Sequence, residues 1–244
     1  MPVITKLALQ LKRHAPWLAR TLAGGGRVAA RLAYPAWHLA HVWLLTPINL
    51  VLNRRKALRR LEIGPGALRI RGFETLNIRA AANVDYVVDA TARLPFADGT
   101  FHLIYASHVL EHVPWYQLEA TLAEWVRILR PGGRLEVWVP NGLRIAQAFV
   151  AAETGGPNEV DKDGWYRFNP ERDPCVWANG RVFSYGDGDG RRASPNWHLS
   201  LFSPRYLEKL MAGAGLVDIV ALDRTQVRGH DHGWINLGLS GTRP

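Results

Sequence analysis

The sequence predicts an α/β protein, a doubly wound and mostly parallel sheet that carries a basic helical arm at its N-terminus. Three observations predict it. From Arg60 onward, short apolar runs alternate with segments of helical period, which is the pattern of strands joined by crossover helices. The run Leu61-Glu62-Ile63-Gly64-Pro65-Gly66 ends an apolar strand in a glycine turn. Without a Cβ, such a turn lets backbone N–H groups come close to a ligand. Finally, residues 1–60 hold eleven Lys/Arg and no Asp or Glu, so a near-neutral body of net charge −2 carries an arm of +11. Charge split in this way points to an acidic partner for the arm, a membrane surface or a nucleic acid.

The arm comes first. Residues 3–22 read as an amphipathic helix with Ile4, Leu7, Leu11, Ala15, Leu18 and Leu22 on one arc and Lys6, Arg13 and Arg20 opposite. Leu9 and Trp17 break the pattern, and Pro16 should kink it. After Gly24-Gly25-Gly26 a second apolar stretch runs from Val28 to Leu45, kinked near Pro35 and rich in Trp and His. A third segment starts at Thr46-Pro47, read as N-cap and first turn, and ends in Arg54, Arg55, Lys56, Arg59 and Arg60. The best window for a membrane span, Ala36 to Leu52, reaches about 17 residues, the lower limit, and contains Pro47, Asn49 and two histidines. An arm lying in the membrane interface is the sharper reading, with residues 1–25 facing the lipid. The competing reading packs these helices on the body.

In the body, strands are expected at Leu61–Ile63, Glu74–Ile78, Tyr86–Val88, Leu103–Ala106, Leu135–Val139, Val217–Leu222 and Ile235–Ser240. Leu118, Leu122, Val126 and Leu129 mark one helix face, and Tyr206, Leu207, Leu210 and Met211 another. Only six residues separate Gly66 from Phe73, whereas a parallel crossover normally needs a dozen or so. The first crossover is therefore reduced to a turn, and the helices around residues 28–58 are the candidates to cover the vacated face. One cysteine, Cys175, excludes an internal disulfide and a cysteine-based metal cluster. The start of the chain lacks the apolar stretch and small-residue cleavage site of a secretory signal. The expected divisions are an arm at 1–58, a ligand-binding core at 59–150, an insertion or lid at 151–200, and the completion of the sheet at 201–244.

Further motifs follow the glycine turn: Val84-Asp85-Tyr86-Val87-Val88-Asp89-Ala90, Leu94-Pro95-Phe96-Ala97-Asp98-Gly99-Thr100-Phe101, Ile104-Tyr105-Ala106-Ser107-His108-Val109-Leu110-Glu111-His112 and Leu129-Arg130-Pro131-Gly132-Gly133. Together they resemble the class I S-adenosylmethionine (SAM)-dependent methyltransferases, in the branch of small-molecule methyltransferase domains. The resemblance is dense from Arg59 to Asn141 and thinner from Asn196 to the end. It implies a Rossmann-like seven-stranded sheet whose last strand is antiparallel, with SAM as cofactor.

By that resemblance Glu62, Gly64, Pro65 and Gly66 cradle the methionine part of SAM, and a side chain at Gly64 would occupy its space. Asn77 stands where relatives carry an acid for the ribose; an amide accepts one hydroxyl and must donate for the other, so weaker binding is expected. Asp89 with Ala90 meets the adenine amine, and Leu94 and Phe96 form its flanking wall. The alternative for Asp89 is a turn-capping role after a strand. Ser107 and His108 follow the fourth strand at the carboxyl edge, where ligands of open α/β sheets sit.

For the acceptor, methyl transfer to a hydroxyl benefits from a base, and histidine suits that role near neutral pH. Asn196-Trp197-His198-Leu199-Ser200-Leu201-Phe202 resembles a motif of relatives that modify surface sugars, which makes His198 the leading base and His108 the second. His108 and His112, four apart, could pair on a metal, but relatives share the motif without one and no metal is expected. Residues 151–200 show little periodicity and contain Trp165-Tyr166, Trp177 and a glycine-aspartate run from Tyr185 to Arg192, the composition of a lid that binds a sugar. His230-Asp231-His232 reads as a loop.

These readings converge on a SAM-dependent O-methyltransferase of a glycan or lipid-linked glycan, held peripherally on the cytoplasmic face of a membrane. A lipid or quinone acceptor is the alternative within the same chemistry. A degenerate SAM fold serving as a membrane scaffold is the alternative of another class. Nucleic acid is not the expected partner, because a nucleic-acid groove needs basic residues beside the site and the body is net acidic.

Overall fold

The computed structural model describes residues 33–157, 159–160, 169–184 and 194–244. Seven strands form one sheet: β1 Arg60–Ile63, β2 Glu74–Asn77, β3 Tyr86–Val87, β4 Phe101–Ser107, β5 Leu129–Pro140, β6 Val217–Ala221 and β7 Asn236–Thr242. Their order is β3-β2-β1-β4-β5-β7-β6. The first five are parallel, and β7 is antiparallel to both β5 and β6. The helices are α1 Thr46–Asn53, α2 Leu118–Ile128, α3 Gly142–Glu153, α4 Pro174–Phe183 and α5 Pro204–Gly213. The strand order reverses between β1 and β4, so a ligand crevice is expected outside their carboxyl ends, at Gly64 and Ser107.

Strand alternation sorts the core. Leu61, Ile63, Leu76, Ile104, Val137 and Leu239 point to one face, where Leu122 and Trp125 of α2 and Leu207 and Met211 of α5 pack on them. Phe73, Leu103, Tyr105 and Trp138 point to the other. No helix lies between Ile63 and Glu74, as the short spacing requires. The cover of that second face corrects the sequence expectation. Ile70 of the crossover and Leu222 and Val227 of the β6–β7 connection pack there, while Leu50 of α1 packs on the first face. Arg228 locks the connection down, with its Nε and Nη2 donating to Glu136 at 2.7 and 2.9 Å.

The arm serves the edge of the sheet instead. Helix begins by residue 33 and continues through a π-helical turn, His41–Leu45, into α1. Thr46 is therefore not an N-cap. Pro47 lacks the N–H that the preceding turn would use, and the wider turn absorbs the mismatch. The Thr46 hydroxyl instead accepts the Val87 N–H at 3.0 Å. Asn49 donates to the Asp85 carbonyl at 2.9 Å, and His41 Nε2 meets the Val84 carbonyl at 2.9 Å. These contacts occupy groups along the edge strand β3 that would otherwise invite pairing. Beneath them lies a buried polar knot: Arg59 makes two bonds to Glu74 at 2.9 and 2.8 Å, and Tyr86 donates to the same carboxylate at 2.6 Å. Asn53 of α1 donates to the Tyr86 hydroxyl at 2.6 Å, which ties the arm to β2 and β3 and to Arg59 just before β1.

The insertion is more ordered than its composition suggests. Asp173 accepts the Val176 N–H at 2.9 Å and Pro174 occupies the first turn, so α4 has a regular start. Trp177 is fully buried with Ile145, Ala148 and Val160 and stacks on Trp234. This second small core holds α4 against α3. The helix expected at 3–22, the glycines at 24–26, Trp165-Tyr166 and the run from Tyr185 to Arg192 lie outside the described residues. Among those described, no helix is long and apolar enough to cross a membrane.

Candidate active site

Two cavities meet at the carboxyl edge of β1 and β4. The first, of about 550 Å³, is lined by Gly64, Pro65, Leu76, Asn77, Asp89, Ala90, Val109, Val113 and Gln117. The second, of about 640 Å³, is lined by Glu62, Gly66, Tyr105, Ser107, Glu111, Arg181, His198 and His232, among others. Gly64, His108, His112 and Asn196 line both. The glycine turn is thus a shared wall, and a ligand resting on it reaches into each side.

The turn is built for close approach. Gly64 has φ +70°, a conformation that costs other residues roughly 1–2 kcal/mol, and donates to the Leu76 carbonyl at 2.8 Å. A Cβ there would collide with Cγ2 of Val109. This packing obstacle adds to the loss of cofactor space expected from the sequence. Gly66 has open space where its Cβ would be, and its carbonyl accepts from Asn83 at 2.9 Å.

The first cavity suits an adenosine. Asn77, at the end of β2, lines the cavity, and its side chain makes no hydrogen bond to a described residue. Asp89 uses Oδ1 to cap the following turn, accepting the Thr91 N–H at 2.9 Å and the Thr91 hydroxyl at 2.8 Å, so the capping role and the cavity position coexist. Leu94 and Phe96 do not form its wall. Both are buried in the main core: the Leu94 N–H is held by Glu124 at 2.7 Å, and Phe96 packs edge-on between Tyr86 and Phe101. Leu76, Val109 and Val113 supply the apolar surface instead. Glu62, whose pKa is raised by burial, places an acid in the second cavity on the far side of Gly64, where it suits an ammonium group. Glycine turn, acid, amide and apolar wall together fit SAM.

The second cavity gathers histidines. His108, at φ +54°, lies 3.1 Å through Nδ1 from Glu111 and bonds through Nε2 to Asn236 Oδ1 at 2.8 Å. Asn236 Nδ2 donates to Asp231, which turns its oxygen toward His108. Both nitrogens of His108 are therefore engaged. Its pKa is raised because these contacts outweigh a burial effect of opposite sign. His232 stacks on it at 3.7 Å, and burial together with the His108 charge lowers the His232 pKa to about 4. The His230-Asp231-His232 stretch, expected as a plain loop, is thus part of the site. Sequence could not place it, since Asn236 and Asp231 meet His108 only after β7 pairs beside β5.

His198 and His112 face each other with ring centroids 5.1 Å apart. His198 is kept neutral by burial, which lowers its pKa, so it offers a lone pair at neutral pH. Arg181 of α4, which nothing in the sequence singled out, adds a cation to the lining.

A methyltransferase-domain family matches residues 23–137 of the chain. Among curated proteins, the ubiquinone/menaquinone biosynthesis C-methyltransferase UbiE of Klebsiella pneumoniae is 38% identical over 76 residues, covering 31% of this chain and 30% of its own length. The protein of the same name from Methylobacterium nodulans is 30% identical over 149 residues, 58% of this chain and 52% of its own. The chain thus spans about half or less of the curated relatives it matches. Among solved structures, a possible histamine N-methyltransferase of Thermotoga maritima aligns over 88% of this chain and 97% of its own, at 19% identity and a TM-score of 0.40. The methyltransferase CalH, solved with S-adenosylhomocysteine (SAH), aligns over 82% and 55%, at 17% identity and a TM-score of 0.43. The matched domain, the strand order ending in an antiparallel β7 and the glycine-turn crevice agree with one another, and the chain is similar to the class I SAM-dependent methyltransferases.

Proposed function

We propose that the chain methylates a hydroxyl of a polar acceptor, a sugar of a glycan or lipid-linked glycan, at a membrane surface. The observation that carries this is the joining of the two cavities at Gly64, His108, His112 and Asn196. It sets a cofactor-sized space beside one lined by imidazole, carboxylate, guanidinium and amide groups. SAM supplies a sulfonium methyl: the new C–O bond forms as C–S breaks, sulfur keeps that pair, and the hydroxyl proton must leave. The chain's task is alignment and proton removal, and His198 presents the available lone pair. Asn77 and the short crossover, which motivated the scaffold reading, leave both cavities open and connected.

Membrane attachment is part of the proposal. The outer face of the helix from residue 33 to Asn53 exposes Trp37, Leu39, Trp43 (73%), Leu44, Ile48, Val51 and Leu52, and Arg54, Arg55 and Lys56 follow it. Apolar and aromatic side chains beside a basic cluster are the composition of an interfacial helix on anionic lipid. This adds a second contact to the one proposed for residues 1–25, on the cytoplasmic face.

A quinone acceptor is the second reading, favoured by the names of the curated relatives. An assay of labelled methyl transfer from SAM into a lipid extract separates the two. Label in acid-labile glycan supports the sugar reading; label in the quinone fraction overturns it. Flotation with anionic vesicles, for the full chain and for one starting after Gly26, tests attachment. No flotation by the full chain would remove the membrane from the proposal.

A further inference from the structure

We propose that Glu111, His112 and His198 bind one divalent transition-metal ion in the acceptor cavity, with coordination positions left open toward the acceptor. A carboxylate oxygen and one ring nitrogen from each histidine lie within 4.8 Å of one another. Metal bonds of about 2.0–2.2 Å would draw these donors in by roughly 1 Å, which side-chain rotation supplies.

The carboxylate is the telling group. Glu111 is only 1% exposed, and its close side-chain partner is His108. Oε1 is paired with His108, whose Nδ1 lies 3.1 Å away, and Oε2 is left without a hydrogen bond. A buried carboxylate left so is costly unless another group is meant to meet it. Both histidines are already oriented for that role. His112 Nδ1 faces the Trp197 carbonyl at 3.1 Å; a carbonyl only accepts, so Nδ1 carries the proton and Nε2 the lone pair. His198 is hydrogen-bonded to the backbone of Arg181, which leaves its other nitrogen. Backbone-anchored imidazoles of this kind are the usual outer support of metal ligands.

The main chain also preassembles the set. Glu111 and His112 sit in the 3₁₀ turn Leu110–His112 after β4, and His198 in the segment before α5. The N–H groups of Leu199 and Ser200 both donate to the Glu111 carbonyl, at 2.7 and 3.1 Å, and so hold the third donor beside the first two. Two imidazoles and one carboxylate suit zinc, cobalt, iron or manganese, and three protein ligands leave room for water or substrate.

The ion's role rests on the O-methylation reading. It would hold the acceptor oxygen and favour loss of its proton to water in the open cavity, and the His198 lone pair would then serve the metal rather than act as the base.

The test is Co²⁺ binding by the full chain, free of any polyhistidine tag and stripped with chelator, read by calorimetry and visible absorption without SAM or acceptor. One equivalent should bind, be displaced by Zn²⁺, and produce an absorption band. Glu111→Gln and His198→Ala should each weaken Co²⁺ at least about 10-fold while SAH affinity stays within about two-fold. His230→Ala should leave Co²⁺ binding intact. Absent stoichiometric Co²⁺ or Zn²⁺ binding, or binding lost in His230→Ala but kept in Glu111→Gln, overturns the site. Methyl transfer that proceeds in chelator also overturns the ion's role but keeps the O-methylation reading. Tight Co²⁺ with no methylated hydroxyl does the reverse.

Discussion

Gly64 and Val109 fit each other as a turn and its stop: Cγ2 of Val109 fills the place where a Cβ on Gly64 would stand. Gly64 follows β1 and Val109 follows β4, so their contact joins the two loops that leave these paired strands at the crevice. Both line the cofactor cavity. The glycine is required by its neighbour and by its own φ of +70° before any ligand is considered.

Gly64→Ala should therefore lower both thermal stability and SAH affinity. Adding Val109→Ala should restore part of each by removing the collision, leaving the backbone strain of roughly 1–2 kcal/mol. Thermal melts and calorimetry on the single and double variants check this. A double variant no better than Gly64→Ala would show that the contact is not the obstacle.

Asn77→Asp should tighten cofactor binding. Asn77 lines the cavity and its side chain has no described protein partner, and a carboxylate can accept from both ribose hydroxyls. An added hydrogen bond to a charged group contributes about 1.5–3 kcal/mol, more than a tenfold gain in SAH affinity. Calorimetry with SAH decides. Unchanged or weaker binding would place the ribose away from the end of β2.

Glu74→Ala should destabilise the fold by about 3–5 kcal/mol, because it strands the buried Arg59 charge. The same change removes the partner of the Tyr86 hydroxyl and loosens α1 at Asn53. Urea unfolding measures it. A loss below about 1 kcal/mol would mean that the knot is open to water.

His232 gives acid sensitivity. Its pKa falls from 6.5 to about 4 in the folded chain, so the unfolded state binds its proton first as pH drops. The full stability is present above about 6.5 and is lost progressively from there toward pH 4. His232→Phe should keep the stack on His108 and flatten stability against pH in that window. An unaltered profile would mean that another group carries the acid dependence.

Much of this was legible in the chain. The strands fell where apolar runs stood, and the six-residue gap after Gly66 foretold the missing helix, because chain length alone forbids one. The glycine turn and Asp89 reached the cavity for reasons written in their own segments. What failed depended on partners distant in sequence. Leu94 and Phe96 have the right chemistry for an adenine wall, but packing on Tyr86 and Phe101 turns Phe96 inward, and the Glu124 bond seats Leu94 in the core. Thr46-Pro47 has the signature of a helix start, yet a π-helical turn carries the helix through it. The Glu111, His112 and His198 cluster and the His108–Asn236 bond exist only once β7 and the segment before α5 close over β4.

The most direct measurement is calorimetric titration of the full chain with SAM and SAH. Binding at a single site by both, weakened by roughly 1–3 kcal/mol in Asp89→Ala, is the predicted result. Failure of either ligand to bind at millimolar concentration, or binding untouched by both Asp89→Ala and Gly64→Ala, would contradict it.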